Sequence, residues 1–170
     1  MQLARVDSLA LLGLEAIAVR IEVQIARGLP AFHLVGLPAA LVRESRERVR
    51  AALTQSGFAF PQQRLTVNLA PADLPKDSNG LELPIALGIL LASGQLPADA
   101  LSGIFFLGEL SLGGQLQPVR AGFALGLGFS RSLDARADLS PGIDSPIAER
   151  PVLLVPPASA ADCARAYCGP

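Results

Sequence analysis

Between Arg64 and Leu91 the chain reads RLTVNLAPADLPKDSNGLELPIALGILL, a run that leaves the backbone few options. Leu65 to Leu69 alternates apolar and polar residues with a period of two, as a half-buried strand does. Leu81 to Ser93 is apolar on nearly every side, the mark of a helix buried in a core. Between them Pro71, Asp73, Pro75, Asp77, Ser78, Asn79 and Gly80 fall within ten positions, so the chain must turn tightly as it leaves the strand. The turn brings Asp73, Lys76, Asp77, Ser78 and Glu82 to a helix N-terminus. There, unpaired N–H groups and the helix dipole favour an anion or a nucleophile.

The segment before this run is patterned just as clearly. Met1 to Leu14 and Ala16 to Arg27 read as two strands turning near Gly13, with Val19, Ile21, Val23 and Ile25 on one side and Arg20, Glu22 and Gln24 on the other. That alternation predicts an antiparallel pair with one face buried. Gly28-Leu29-Pro30 is a turn, and Phe32 to Val35 a third strand in which His33 points away from its apolar neighbours to the solvent side. A helix follows from Ala39 to Ser56, its apolar stripe made of Leu41, Val42, Val49, Ala52 and Leu53. Arg43, Arg46 and Arg50 recur at i, i+3 and i+7 and share a face, while Glu44 and Arg48 stand at pairing distance. Two readings of that face stay open: a solvated surface laced with ion pairs, or a basic stripe for phosphates or an acidic partner.

Beyond the central run, Ile104 to Leu107 predicts a short buried strand, and Leu110 to Leu116 a hairpin turning at Gly113-Gly114. Pro118 opens a small-residue helix to about Phe129. Ser130 to Arg150 is expected as a surface loop with freedom to move. Val152 to Val155 is a last strand and Ala158 to Tyr167 a last helix. Strands and helices interleaved in this way predict an α/β (α+β) fold, a mixed sheet with helices packed on it.

Composition narrows the chemistry. The chain has 170 residues and fits one domain. Its longest apolar run, Leu81 to Ala92, is broken by Glu82 and Pro84 and falls short of the ~20 residues that cross a bilayer. Asp7 and Glu15 likewise interrupt the amino-terminal apolar run, so a cytoplasmic location with no membrane partner is expected. A net charge of −1 excludes a generally basic nucleic-acid surface, though not a local patch. Cys163 and Cys168 lack a second ligand pair and read as free thiols rather than a metal site. A P-loop would need Gly-x4-Gly-Lys-Ser/Thr, but the single lysine, Lys76, follows Pro75. With His33 the only histidine, no H-E-x-x-H motif is possible. One nucleophilic arrangement remains, a serine–lysine dyad of Ser78 and Lys76, against the plainer reading of two exposed turn residues.

Four stretches of the chain, GLPAFHLVGLP, VRESRERVRAAL, GFAFPQQRLTVNLAPADLPKDSNGLELPIALGIL and FLGELSLGGQLQPVR, resemble the amino-terminal domain of the magnesium-chelatase-like AAA+ ATPases related to the competence protein ComM, also called the YifB family. The resemblance runs from Met1 to about Phe129, and VLLVPPA (Val152 to Ala158) is similar to the family's next strand. It implies a fold like the Lon proteolytic domain, of the ribosomal protein S5 domain 2 type, over residues 1–129. The last strand and helix, within 151–170, would complete the same domain. In the family an AAA+ module with Walker motifs follows, which this chain does not include. The resemblance further implies that the parent is an ATPase, with ATP and Mg held in that module, assembled with neighbouring subunits in a hexameric ring. Its work would be DNA processing: recombination, branch migration and natural transformation.

For this chain the resemblance implies a non-catalytic accessory domain without a cofactor of its own. Lon-type peptidases carry their serine in P-K-D-G-P-S-A-G, and laying that segment on Pro75 to Glu82 puts Gly80 at the nucleophile. Their lysine follows a G-E-x-x-L-x-G segment, and Gly108-Glu109 onward puts Phe123 in its place. Any DNA contact by this domain, with Arg43, Arg46 and Arg50 the candidate surface to DNA or a neighbouring subunit, is expected to be weak. The alternative is a serine-type hydrolase with a displaced dyad.

Overall fold

The computed structural model describes residues 2–71, 80–138 and 152–166. Strands β1 (Gln2–Leu12) and β2 (Glu15–Ala26) form one antiparallel hairpin, in register from Gln2 opposite Ile25 to Leu12 opposite Glu15. Strand β3 (Ala31–Val35), helix α1 (Ala39–Gln55) and strand β4 (Arg64–Ala70) follow, with β3 and β4 parallel. Such a pairing needs a crossover, and α1 supplies it. Helix α2 (Glu82–Ala92) leads through a turn to β5 (Ile104–Phe106), then to the small hairpin of β6 (Glu109–Leu110) and β7 (Leu116–Gln117). Helix α3 (Gly122–Asp138), strand β8 (Val152–Leu154) and helix α4 (Pro157–Arg165) complete the order.

The main sheet has six strands in the order β3-β4-β2-β1-β5-β8, antiparallel at β4/β2 and β2/β1 and parallel elsewhere. This is the mixed sheet expected. Because successive side chains on a strand point to opposite faces, β1 feeds two cores. Ala4, Val6 and Ala10 join Val19, Ile21, Val23 and Ile25 of β2, Leu65, Val67 and Leu69 of β4, Val49 and Leu53 of α1, and Ile85 and Ile89 of α2. Leu9 and Leu11 point the other way and join Phe105, Leu107, Val119, Leu125 and Phe129. The Phe105 and Phe129 rings meet edge to face, centroids 5.4 Å apart. Helix α2 lies close on the sheet at Gly88, where an added Cβ would come 2.6 Å from Val23 Cγ2.

The second face of the sheet, over the first half of β1 and across β2 and β4, carries polar side chains bonded to one another. Arg20 Nε donates to Asp7 Oδ1 at 3.0 Å, Asn68 Nδ2 donates to Glu22 Oε2 at 3.2 Å, and Arg5 stands 3.5 Å from Glu22. These are the even residues of β2 that the alternation assigned to the outer side.

Two expectations about the C-terminal third need correction. The helix expected from Pro118 begins at Gly122. The Val119 N–H is taken by Ser159 Oγ at 3.0 Å, and Ala121 sits at a φ of 54°, so the first helical bond is Leu125 N–H to Ala121 O. The same helix runs on to Asp138, so residues 130–138, expected as the start of a loop, are helical. That segment, SRSLDARAD, has neither Gly nor Pro and is rich in residues that tolerate a helix. Residues 139–151, the rest of the expected loop, lie outside the described residues.

Candidate functional site

The turn after β4 carries Asp73, Lys76, Asp77 and Ser78, all outside the described residues. Its end is described, and it is tightly built. Gly80 has a φ of +86°, in the left-handed region that suits glycine. Its carbonyl accepts from Gly108 N–H at 2.9 Å, and the Gly108 carbonyl accepts from Leu83 N–H at 2.9 Å. A Cβ at Gly80 would stand 3.0 Å from Val119 Cγ1 and 3.3 Å from Leu107 Cδ2. A serine at that position would therefore meet both an unfavourable backbone and a filled apolar wall. Phe123 is more than half exposed at the start of α3.

Glu82, the last of the polar residues that the turn brings to a helix N-terminus, is 1% exposed. Arg48 Nε of α1 donates to its Oε1 at 2.5 Å, and the Leu110 N–H of β6 donates to its Oε2 at 2.8 Å. Burial raises the carboxyl above its usual value, while the Leu110 N–H and Arg48 pull it back. One buried carboxylate thus ties α1, α2 and the β6 hairpin together. Arg48 also approaches Glu44, as the spacing predicted, but at 3.9 Å. Its stronger partner lies 34 residues on, which no local spacing rule would find.

With Arg48 turned inward, Arg43, Arg46 and Arg50 are left exposed, as burying the stripe of Val49, Ala52 and Leu53 requires. The structure does not use the three alike. Arg46 and Arg50 line a cleft of about 110 Å³ with Phe32, Phe60, Gln62 and Gln63, and Arg43 is not among the lining residues. Arg50 Cζ lies over the Phe60 ring, 5.8 Å from its centroid. Arg46 contacts Glu47 at 3.1 Å. Gln95, in the turn after α2, holds the loop that forms the far wall: its Oε1 accepts from Ala59 N–H at 2.9 Å and its Nε2 donates to Ala59 O at 2.8 Å. Sequence reasoning missed Phe60, Gln62, Gln63 and Gln95. An available signal was the run of aromatic, proline and amide side chains from Phe58 to Gln63, facing an arginine-bearing helix.

Among the described residues no group of three His, Cys, Asp or Glu side chains is placed to hold a metal, and no helix is long and apolar enough to cross a membrane. Cys163 is a buried free thiol whose pKa burial raises.

Comparison with known proteins places these features in a lineage. The family model described as subunit ChlI of Mg-chelatase matches residues 21–132. The competence protein ComM of Haemophilus influenzae is 52% identical over 119 residues, covering 70% of this chain and 23% of that protein. The YifB proteins of Salmonella typhimurium and Escherichia coli are 49% and 46% identical over 119 residues, each covering 70% of this chain and 24% of theirs. The chain thus spans about a quarter of the length of the curated relatives it matches.

Proposed function

We infer, for a chain that belongs to the Mg-chelatase ChlI-type family of ComM and YifB, that it works as a non-catalytic accessory domain of a DNA-processing AAA+ ATPase. Gly80 carries this reading: where a Lon-type peptidase would need its serine, the chain has a glycine at a φ of +86° with Val119 and Leu107 packed against the space a side chain would fill. Phe123 at the lysine position supports the same view. The chain has no Gly-x4-Gly-Lys-Ser/Thr run, and in this reading ATP and Mg belong to the parent's own ATPase module.

The contribution we assign to the domain is an interface. Arg43, Arg46 and Arg50 project from the solvent side of α1, on a chain whose net charge is −1, and present its most concentrated run of positive charge to DNA or to a neighbouring subunit. Three guanidiniums neutralise only a few phosphates. Binding by one copy should then be weak, about 10⁻⁴ to 10⁻⁶ M, and should fade as salt rises. A ring of copies would raise the apparent affinity by multivalency.

The test is DNA affinity across a salt series, together with sedimentation, for the wild type and the Arg43→Ala/Arg46→Ala/Arg50→Ala variant of the longer protein. Loss of affinity and a shallower salt slope are expected if the face meets DNA, and loss of assembly if it meets a subunit. A folded variant unchanged in all three would overturn the interface reading. Stoichiometric labelling of Ser78 by a fluorophosphonate would overturn the non-catalytic one.

A further inference from the structure

We infer that the cleft between α1 and the loop of residues 58–63 is a phosphate-binding site, with Arg46 and Arg50 as its ligands. It deepens the interface reading of α1, on which it rests only for the source of the phosphate.

Four observations converge on that chemistry. The first is charge: two guanidiniums share the cleft, and none of its lining residues is a carboxylate. Arg46 has Glu47 at its side, whereas Arg50 has no carboxylate within ion-pair distance among the described residues. The second is orientation. Phe60 engages Arg50 through its ring, which offers a face to the cation and accepts no N–H from its edge. The guanidinium is thereby held in place with its donors still to be used, and a fork of N–H groups matches the oxygens of a phosphate. The third is rigidity: Gln95 clamps Ala59 through both backbone groups, and Ala31 N–H donates to Gln63 O at 3.4 Å. Walls fixed in this way reduce the ordering required when a ligand enters. The last is size. A cleft of about 110 Å³ has room for one phosphate group. The carboxamides of Gln62, whose Nε2 donates to Phe60 O at 3.2 Å, and of Gln63 line the same wall.

A phosphate group of this kind occurs in a DNA backbone and as a free anion, and one experiment separates the two. The 170-residue chain, labelled with ¹⁵N, is titrated with inorganic phosphate and, at matched ionic strength, with chloride, while the arginine Nε–Hε resonances are followed. Saturable shifts at Arg46 and Arg50 with phosphate, absent with chloride, are expected. Arg50→Ala should weaken binding about tenfold, because a charged hydrogen-bond donor is lost from a partly solvated site. Arg43→Ala should leave it nearly unchanged, since Arg43 stands outside the cleft. Equal responses to phosphate and chloride, or an equal loss from Arg43→Ala and Arg50→Ala, would reduce the cleft to a diffuse positive surface and overturn the inference. An oligothymidylate of about ten nucleotides that displaces phosphate from Arg46 and Arg50 would place a backbone phosphodiester there. If phosphate saturates the cleft and the oligonucleotide leaves it bound, the site stands and the DNA reading of α1 falls. If the oligonucleotide binds the wild type and Arg50→Ala equally and phosphate gives no saturable shift at Arg46 or Arg50, the cleft inference falls.

Discussion

Replacing Arg48 by methionine isolates what the guanidinium does at Glu82, since methionine keeps much of the aliphatic stem and removes the charge. Glu82 is 1% exposed in the wild type, and the variant leaves its carboxyl with the Leu110 N–H as its remaining donor among the described residues. Losing one partner of a fully buried pair costs about 3–5 kcal/mol. A hydrogen bond to a charged group contributes about 1.5–3 kcal/mol. Arg48 is 31% exposed, so solvent screens its half of the pair and the lower range applies. The expected loss at pH 8 is about 1.5–3 kcal/mol, or roughly 3–12 °C in Tm for a domain of this size.

The pH dependence sharpens the test. Burial already raises the Glu82 carboxyl above its usual 4.5, and removing Arg48 raises it further in the folded state while the unfolded value stays. Between those two values the native state holds the extra proton, so stability falls as pH rises through the window and levels off above it. The loss caused by Arg48→Met should therefore be small near pH 4.5 and largest near pH 8. Arg48→Met/Glu82→Gln keeps an acceptor for the Leu110 N–H without a buried charge, and should return to within about 1 kcal/mol of the wild type with no such slope. Urea unfolding followed by far-UV circular dichroism at about pH 5, 6.5 and 8 measures all of this. A loss equal at the lowest and highest pH, or a double variant no more stable than Arg48→Met, would refute the account of a desolvated carboxyl steadied by Arg48.

Gly80→Ser should lose about 1–3 kcal/mol from its left-handed backbone alone and gain no labelling by fluorophosphonate, read by thermal unfolding and intact mass. Gly88→Ala should destabilise by about 1–3 kcal/mol through overpacking against Val23, outweighing the roughly 1 kcal/mol that alanine gains over glycine inside a helix; a rise in Tm would show that the helix shifts freely. Gln95→Ala, which removes three side-chain hydrogen bonds, two exposed ones to the Ala59 backbone and one to Ser93 Oγ, should lose about 1 kcal/mol in urea unfolding and speed amide exchange at Ala59, and unchanged exchange there would mean the loop is held by other contacts.

Local pattern carried much of the fold. The alternation in β2 assigned its two faces correctly, because one buried face fixes a strand's register, but the single buried face expected for the pair fails in the second half of β1, where Leu9 and Leu11 are buried on the other side. The apolar stripe of α1 likewise sent Arg43, Arg46 and Arg50 to solvent. What stayed hidden was pairing at long range. Glu82 and Arg48 read as a helix-start acid and a base paired with Glu44 when each is taken against its own helix, and only the packing of α1 beside α2 joins them. The run from Phe58 to Gln63 hinted at one wall of the cleft, but its arginines and its glutamines belong to different elements, and nothing in the i, i+3, i+7 spacing distinguishes Arg43 from its neighbours. The start of α3 was misplaced because Ser159, 40 residues on, takes the Val119 N–H, a competitor that lies far along the chain.

The two cores fill at different times as the chain is made. Nearly all of the larger one lies between Ala4 and Ala92, with Phe106 and Leu110 its late additions, whereas the smaller one joins Leu9 and Leu11 to residues from Phe105 to Phe129. At usual synthesis rates the 37 residues from Ala92 to Phe129 take roughly 2–7 s. During that interval the β1–β2 hairpin, β4, α1 and α2 can already close on one another while Leu9 and Leu11 still face water. Nascent chains of this protein should therefore pass through a half-clad sheet, with the Leu9–Leu11 side offered to chaperones until α3 arrives. In the finished molecule, amides of β5 and α3 should exchange with solvent ahead of those in β2 and β4.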